Sequence, residues 1–255
     1  MPTFQLADIQ AALQCISSNS PQTQKNEALH FLEQFQKSPE AWSLCHTVLS
    51  NTDSQLNELQ IFAAQTLRNK VTYDLSKLEG ESSDNNNNTN SPLQQLKDSI
   101  FDLLVLHDQK VVIVQLNVAL ARLAIQFLEW KNPIPEIISK LKQYPGVLLS
   151  FLRVLPEETA DIGTYPLTED EYNSRTNELI DSIAEDVLGF LVNCTEIIKA
   201  ESNSNISNSI RSGNFRTTLD LEMVLRCLAS WSFEFPIDQL LSATPLVSLD
   251  RKSVV

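Results

Sequence analysis

Side chains able to do bond-making chemistry are few and scattered in this chain. The three histidines, His30, His46 and His107, fall in separate predicted helices and share no ligand spacing. His46 follows Cys45 directly, but adjacent helical positions diverge by roughly 100° and do not form a nucleophile–base pair. The four cysteines, Cys15, Cys45, Cys194 and Cys227, lie far apart with no CxxC spacing. Each sits inside an apolar helical pattern and reads as a small core residue. The acidic triplet Glu169-Asp170-Glu171 suits the first turn of a helix, where the macrodipole favours negative charge. The run PEETAD, Pro156 to Asp161, lacks the alternating oxygen ligands of a calcium loop. No phosphate-loop, dinucleotide, zinc-protease or nucleophile-elbow pattern occurs. The expectation is therefore no catalysis, no metal and no cofactor, with function resting on binding.

Composition narrows what is bound. A net charge of −13 repels phosphate backbones, so direct nucleic-acid binding is not expected, and a basic protein partner suits the charge. The start, MPTFQLADIQ, has neither a basic n-region nor an apolar h-region, which argues against a secretory signal and for a reducing, intracellular setting. With only 5 glycines in 255 residues and no long β-branched alternation, the chain is expected to be all-α.

The elements that would position a binding surface are legible in VVIVQLNVALARLAIQFLEW, Val111 to Trp130. At about 100° per residue, Gln115, Arg122, Gln126 and Glu129 fall within roughly 60° of one another. Asn117 is the one polar outlier on an otherwise apolar circumference. A central Arg costs roughly 2.5–3.5 kcal/mol in a bilayer, so a membrane span is rejected. A helix with one thin wet stripe is instead covered by neighbours on its other sides. Asp220 to Phe235 repeats the pattern with a stripe of Glu222, Arg226 and Ser230. Glu58 to Tyr73 does so with Leu59, Ala63, Ala64, Leu67 and Val71 opposite Glu58, Gln65, Asn69 and Thr72.

Amphipathic helices are expected between them, near Leu6–Ile16, Ala41–Leu49, Leu93–Leu106, Pro135–Leu141 and Glu178–Ile198. Ser20-Pro21, Ser38-Pro39, Ser91-Pro92 and Asn132-Pro133 each read as an N-cap followed by a first-turn proline. Thr168 and Glu171 have the spacing of a capping box. Helix pairs recurring at roughly 40–45 residues predict a HEAT-repeat α-solenoid, a right-handed superhelical array of antiparallel pairs. Its repeats are expected over residues 1–79, 92–199 and 218–249. An Asn-rich insertion at 80–91 and a polar linker at 200–217, read as a solvated connector carrying Arg211 and Arg216, separate them. The array has no closing polar repeat, so the chain reads as an N-terminal fragment, and DRKSVV at 250–255 reads as a non-native tail.

The run LQIFAAQTLRNKV, Leu59 to Val71, resembles the second inner helix of the importin-β superfamily, matching at Phe62, Ala64, Leu67, Arg68 and Asn69. Lys25 to Ser50 is similar to the preceding helices. QLNVALARLAIQFLEW, FLRVLPEET (Phe151 to Thr159) and LRCLASWSFEFP (Leu225 to Pro236) resemble the transportin-SR branch, including its fungal mRNA-transport regulators. The resemblance covers roughly residues 4–249.

It implies a nuclear import receptor that shuttles between cytoplasm and nucleus. Such receptors cross the pore on Phe-Gly nucleoporins and release cargo on binding RanGTP along the concave inner helices. Basic cargo rich in Arg-Ser or Arg-Gly segments is implied too, contacted largely by repeats farther along the superhelix. The exposed strips nominate Gln65, Arg68, Asn69 and Thr72 on one helix, and Gln115, Arg122, Gln126 and Glu129 on the next, as Ran-facing. Arg68 and Asn69 lead because they also match the family run. The competing readings are a HEAT scaffold subunit of a stable complex and an all-helical regulator of a GTPase.

Overall fold

The computed structural model describes residues 4–80, 91–160, 162–203 and 214–243, and every regular element among them is helical. The chain divides into two compact units, Met1–His107 and Asp108–Val255.

The first unit holds α1 (Leu6–Ser17), α2 (Gln22–Lys37), α3 (Glu40–Leu49), α4 (Asn57–Tyr73), α5 (Leu75–Gly80) and α6 (Pro92–Leu106). Helix α1 packs on α2 and α3 on α4, each pair across a short connection. Phe35 of α2 is wholly buried, with the Phe4 ring edge-on at 5.5 Å and Phe62 of α4 at 6.1 Å. Such ring pairs contribute about 0.5–1.5 kcal/mol beyond area burial. Lys70 of α4 is only 3% exposed, yet its charge is fully engaged. Its Nζ donates to Gln36 O at 3.3 Å near the end of α2, pairs with Asp74 at 2.8 Å, and lies 5.5 Å from the centroid of the Trp42 ring. A buried ammonium is tolerated only when paired and bonded in this way, and here it ties α2, α3 and α4 together. His107 is buried as well and donates from Nε2 to Leu49 O at 2.6 Å, fastening the end of α6 to that of α3.

The second unit holds α7 (Lys110–Gln126), α8 (Pro133–Leu141), α9 (Pro145–Thr159), α10 (Glu169–Leu179), α11 (Ala184–Asn203), α12 (Leu221–Ser230) and α13 (Ile237–Ser242). Alternate helices α7, α9 and α12 pack side by side, while α8 lies on α9 and α11 on α12. That is the layering of an all-α HEAT-repeat array, in which no helix pair buries its faces alone. Helix α7 is enclosed as its stripe predicts, with Val112, Ile113, Leu116, Leu120 and Leu123 at 0% exposure. Asn117, the polar outlier, is buried and donates from Nδ2 to Val147 O at 3.1 Å in the first turn of α9. The end of α7 is capped from outside. Arg175 of α10 donates from Nε to Ala124 O at 2.7 Å and from its two ends to Phe127 O, Trp130 O and Glu178.

Local signals hold in part. Ser91 accepts from Gln94 N at 3.2 Å, and Thr168 with Glu171 forms the full capping box. The other three Ser/Asn-Pro pairs do not cap through the side chain. Pro21 and Pro39 themselves occupy the cap position, one residue earlier than a first-turn proline, and Asn132 takes a left-handed conformation with φ 50°. Glu178–Ile198 is not one helix. The chain turns at Asp181–Ile183, where Ile180 and Ile183 are buried, and separates α10 from α11. Helix α12 ends at Ser230 and buries Val224 and Cys227 while Leu225 is 41% exposed, so it is not enclosed in the manner of α7; its packing partners are α9 and α11. Helix α9 is absent from the expected amphipathic elements; nearly every residue from Gly146 to Leu155 is buried, so it presents no wet stripe.

The two units part between His107 and Asp108, within the expected 92–199 block. Helix α11 runs into the expected linker as far as Asn203, and its far end is pinned rather than solvated. Arg216 pairs with Asp108 at 2.5 Å and lies over the Tyr144 ring. Most of the Asn-rich insertion, Arg211 and the 250–255 tail lie outside the described residues.

Candidate functional site

Each predicted strip is carried by one helix, α4 in the first unit and α7 in the second. On α4, Gln65, Arg68 and Asn69 are half-buried side by side. The Arg68 guanidinium folds back on its neighbour, donating from Nε and NH2 to Asn69 Oδ1 at 3.3 and 3.0 Å. That contact orients the planar guanidinium, a group suited to carboxylate or carbonyl oxygens. Thr72 does not belong to the exposed strip. It is 2% exposed, and its Oγ1 donates back to Arg68 O at 2.8 Å, so it supports the backbone under Arg68. A threonine inside a helix satisfies its hydroxyl on the preceding turn in this way.

On α7, Gln115, Arg122 and Gln126 keep partial exposure along one line, and Gln126 Nε2 donates to Arg122 O at 3.2 Å. Glu129 is exposed but lies past the helix end, because the chain leaves α7 after Gln126. Glu129 falls on the strip only if the helical periodicity is continued to Trp130.

Glu158 is the residue the stripe missed. Arg122 Nε reaches it at 2.6 Å, with both side chains less than one-fifth exposed. Tyr165 OH donates to the Glu158 main-chain carbonyl at 3.2 Å and to its carboxylate at 3.4 Å. Burial, and then the Glu158 charge, pushes the Tyr165 hydroxyl far above its ordinary range, so it remains a donor. The signal was present in the PEET run, but only the packing of α9 on α7 brings the carboxylate to Arg122.

Both strips are hydrogen-bonding surfaces without a nucleophile. Burial pushes the Cys45 thiol up to about 12 and Cys194 to about 11, and it raises Cys227 further, so all three stay protonated. No cluster of three or more metal-ligating side chains occurs among the described residues, and no described helix is long and apolar enough to cross a membrane.

Residues 109–251 match the family of Exportin 1-like proteins, and residues 28–105 match the importin-beta N-terminal domain. The chain belongs to the importin-β superfamily. The two matches abut where the chain divides into its two units. It is 57% identical over 98% of its length to the mRNA transport regulator MTR10 of Saccharomyces cerevisiae. It is 33% identical over 96% of its length to an uncharacterized protein of Schizosaccharomyces pombe, and 30% identical over 59% to transportin MOS14 of Arabidopsis thaliana. The chain spans 24% of the length of each of the two yeast proteins and 16% of the plant one.

Proposed function

We propose that this chain is the Ran-binding portion of a nuclear import receptor of the transportin-SR branch. The receptor takes basic Arg-Ser or Arg-Gly cargo into the nucleus and has no catalytic step of its own. The observation that carries this reading is the 57% identity to an mRNA transport regulator, which runs through both units. A relative named as a transportin supports the branch, and the match over residues 28–105 supports Ran as the partner. The net charge of −13 suits basic cargo. Phe-Gly nucleoporins and shuttling between cytoplasm and nucleus follow from the same reading.

Within it, RanGTP is contacted by Arg68, Asn69 and Gln65 on α4, with Thr72 beneath them. Gln115, Gln126 and the Arg122–Glu158 pair on α7 add contacts, and Glu129 adds one from the turn beyond. The test is a pull-down with Ran loaded with a non-hydrolysable GTP analogue or with GDP. The GTP form is expected to be captured preferentially, and Arg68→Ala or Asn69→Ala to weaken it by roughly tenfold, as loss of a charge-assisted contact predicts. Equal capture of both forms, or a stoichiometric partner held regardless of nucleotide, counts against the receptor and for a scaffold.

A further inference from the structure

In the second unit a cavity of about 140 Å3 is lined by Lys110 at the start of α7, Arg153 of α9 and Arg226 of α12. For a chain of net charge −13, three cations around one opening reverse the local sign. Arg226 is partly neutralised by exposed Glu222 at 2.8 Å. Lys110 lies over the Phe215 ring at 5.9 Å, and neither it nor Arg153 forms an ion pair among the described residues. Ser150 lines the same cavity. It is 5% exposed, and its Oγ is buried with no hydrogen-bond partner. A buried hydroxyl left unbonded is destabilising and uncommon in folded proteins. A ligand oxygen in the cavity would supply the missing partner once the hydroxyl turns toward it.

The wall opposite is held in place before any ligand arrives. Gly146 N donates to Arg216 O at 3.0 Å, and Asn214 Oδ1 accepts from Arg216 N at 3.0 Å, which sets Phe215 over the cavity. A Cβ at Gly146 would collide with Phe215 O and lie 3.1 Å from Thr218 O, so only glycine lets this turn sit against α9. Arg216 itself is committed to Asp108 and stays out of the site.

We propose that this cavity binds a phosphate monoester. A phosphate monoester carries close to two negative charges and three acceptor oxygens. Those match two unneutralised cations, a third that is partly neutralised, and one hydroxyl; a carboxylate has half the charge and fewer acceptors. The volume far exceeds the minimum of about 10–15 Å3 that one water requires. The walls of Leu149 and Phe215 suit the carbon stem of the ester. The chemistry is shared by free phosphate and by a phosphorylated serine or threonine side chain. The cavity shares no lining residue with the strips assigned to Ran.

The test is calorimetric titration of the 255-residue chain at low ionic strength. The titrants are inorganic phosphate, a blocked Ala-phosphoserine-Ala peptide and its unphosphorylated form. Saturable binding of phosphate or of the phosphopeptide is expected, and none of the unphosphorylated peptide. Preference for the phosphopeptide identifies a modified side chain as the source, and equal affinity identifies the free ion. Arg153→Gln and Lys110→Gln are each expected to weaken binding about tenfold, the loss of one charge-assisted hydrogen bond. Ser150→Ala is expected to weaken it about threefold without lowering the melting temperature, because it removes a hydroxyl that has no partner in the free protein. The proposal is overturned by no saturable binding of either phosphate form, by equal binding of the unphosphorylated peptide, or by affinity unchanged in both Arg153→Gln and Lys110→Gln.

Discussion

Trp231 supplies the hydrogen bond that Pro156 withholds. In an α-helix the N–H of residue 156 would bond to the carbonyl of residue 152, but proline has no N–H. The Trp231 indole, wholly buried at the end of α12, donates from Nε1 to Leu152 O at 2.7 Å instead. The defect in α9 thus becomes the anchor for α12, and the Phe235 ring stacks behind at 5.9 Å.

Trp231→Phe should therefore cost more than its lost area, because Leu152 O is left without this donor. About 1–3 kcal/mol is expected for the orphaned carbonyl. Pro156→Ala restores an N–H in register, so the double variant should recover part of that loss. Urea midpoints for the two single variants and the double check the coupling, and strict additivity would refute it.

Arg175 is the other buried donor on which several carbonyls depend. Replacing it with Met leaves Ala124 O, Phe127 O and Trp130 O without its N–H groups and removes the ion-pair partner of Glu178. A loss of about 3–5 kcal/mol is expected, as for breaking a buried, bonded charge. Arg226→Ala removes only an exposed pair on α12 and should change stability by less than about 0.5 kcal/mol. Equal unfolding midpoints for the two variants would contradict the assignment.

Acid should loosen both units through two carboxylates. At Asp74, burial opposes ionisation, but hydrogen bonds and charge from Lys70 and Lys77 outweigh it and hold the carboxyl below its usual value. At Glu178, burial is likewise outweighed by Asn132 N and by Arg175. A carboxylate depressed in the folded state contributes stability that is fully present above its unfolded value of about 4. That stability is lost as pH falls through the lower folded value. Asp74→Asn should lower stability at pH 7 and flatten the decline below about pH 4. Urea titrations across that range read it directly.

Thiol reactivity should sort the cysteines by burial. Cys45, Cys194 and Cys227 are buried with raised pKa values, and Cys15 is half-buried. One fast-reacting thiol is expected in the folded chain and four in denaturant, measured with a disulfide reagent. Rapid reaction at Cys45 in the native state would mean that the α3–α4 pair opens.

Legible along the chain are the all-helical class, the enclosure of α7 and the capping box at Thr168. These follow from local periodicity and from short-range hydrogen bonds, which the order of residues carries directly. The position of α9, the break at Asp181, the burial of Thr72 and the departure of Glu129 from its strip needed the folded chain. So did the pairing of Arg122 with Glu158, the Trp231 bond to Leu152 and the cations gathered around Ser150. Those side chains come from helices separated by tens of residues, and a one-dimensional pattern records the face a residue occupies but not which helix covers it. Packing decides the partner, and the partner decides whether a polar residue is a surface contact or a buried tie.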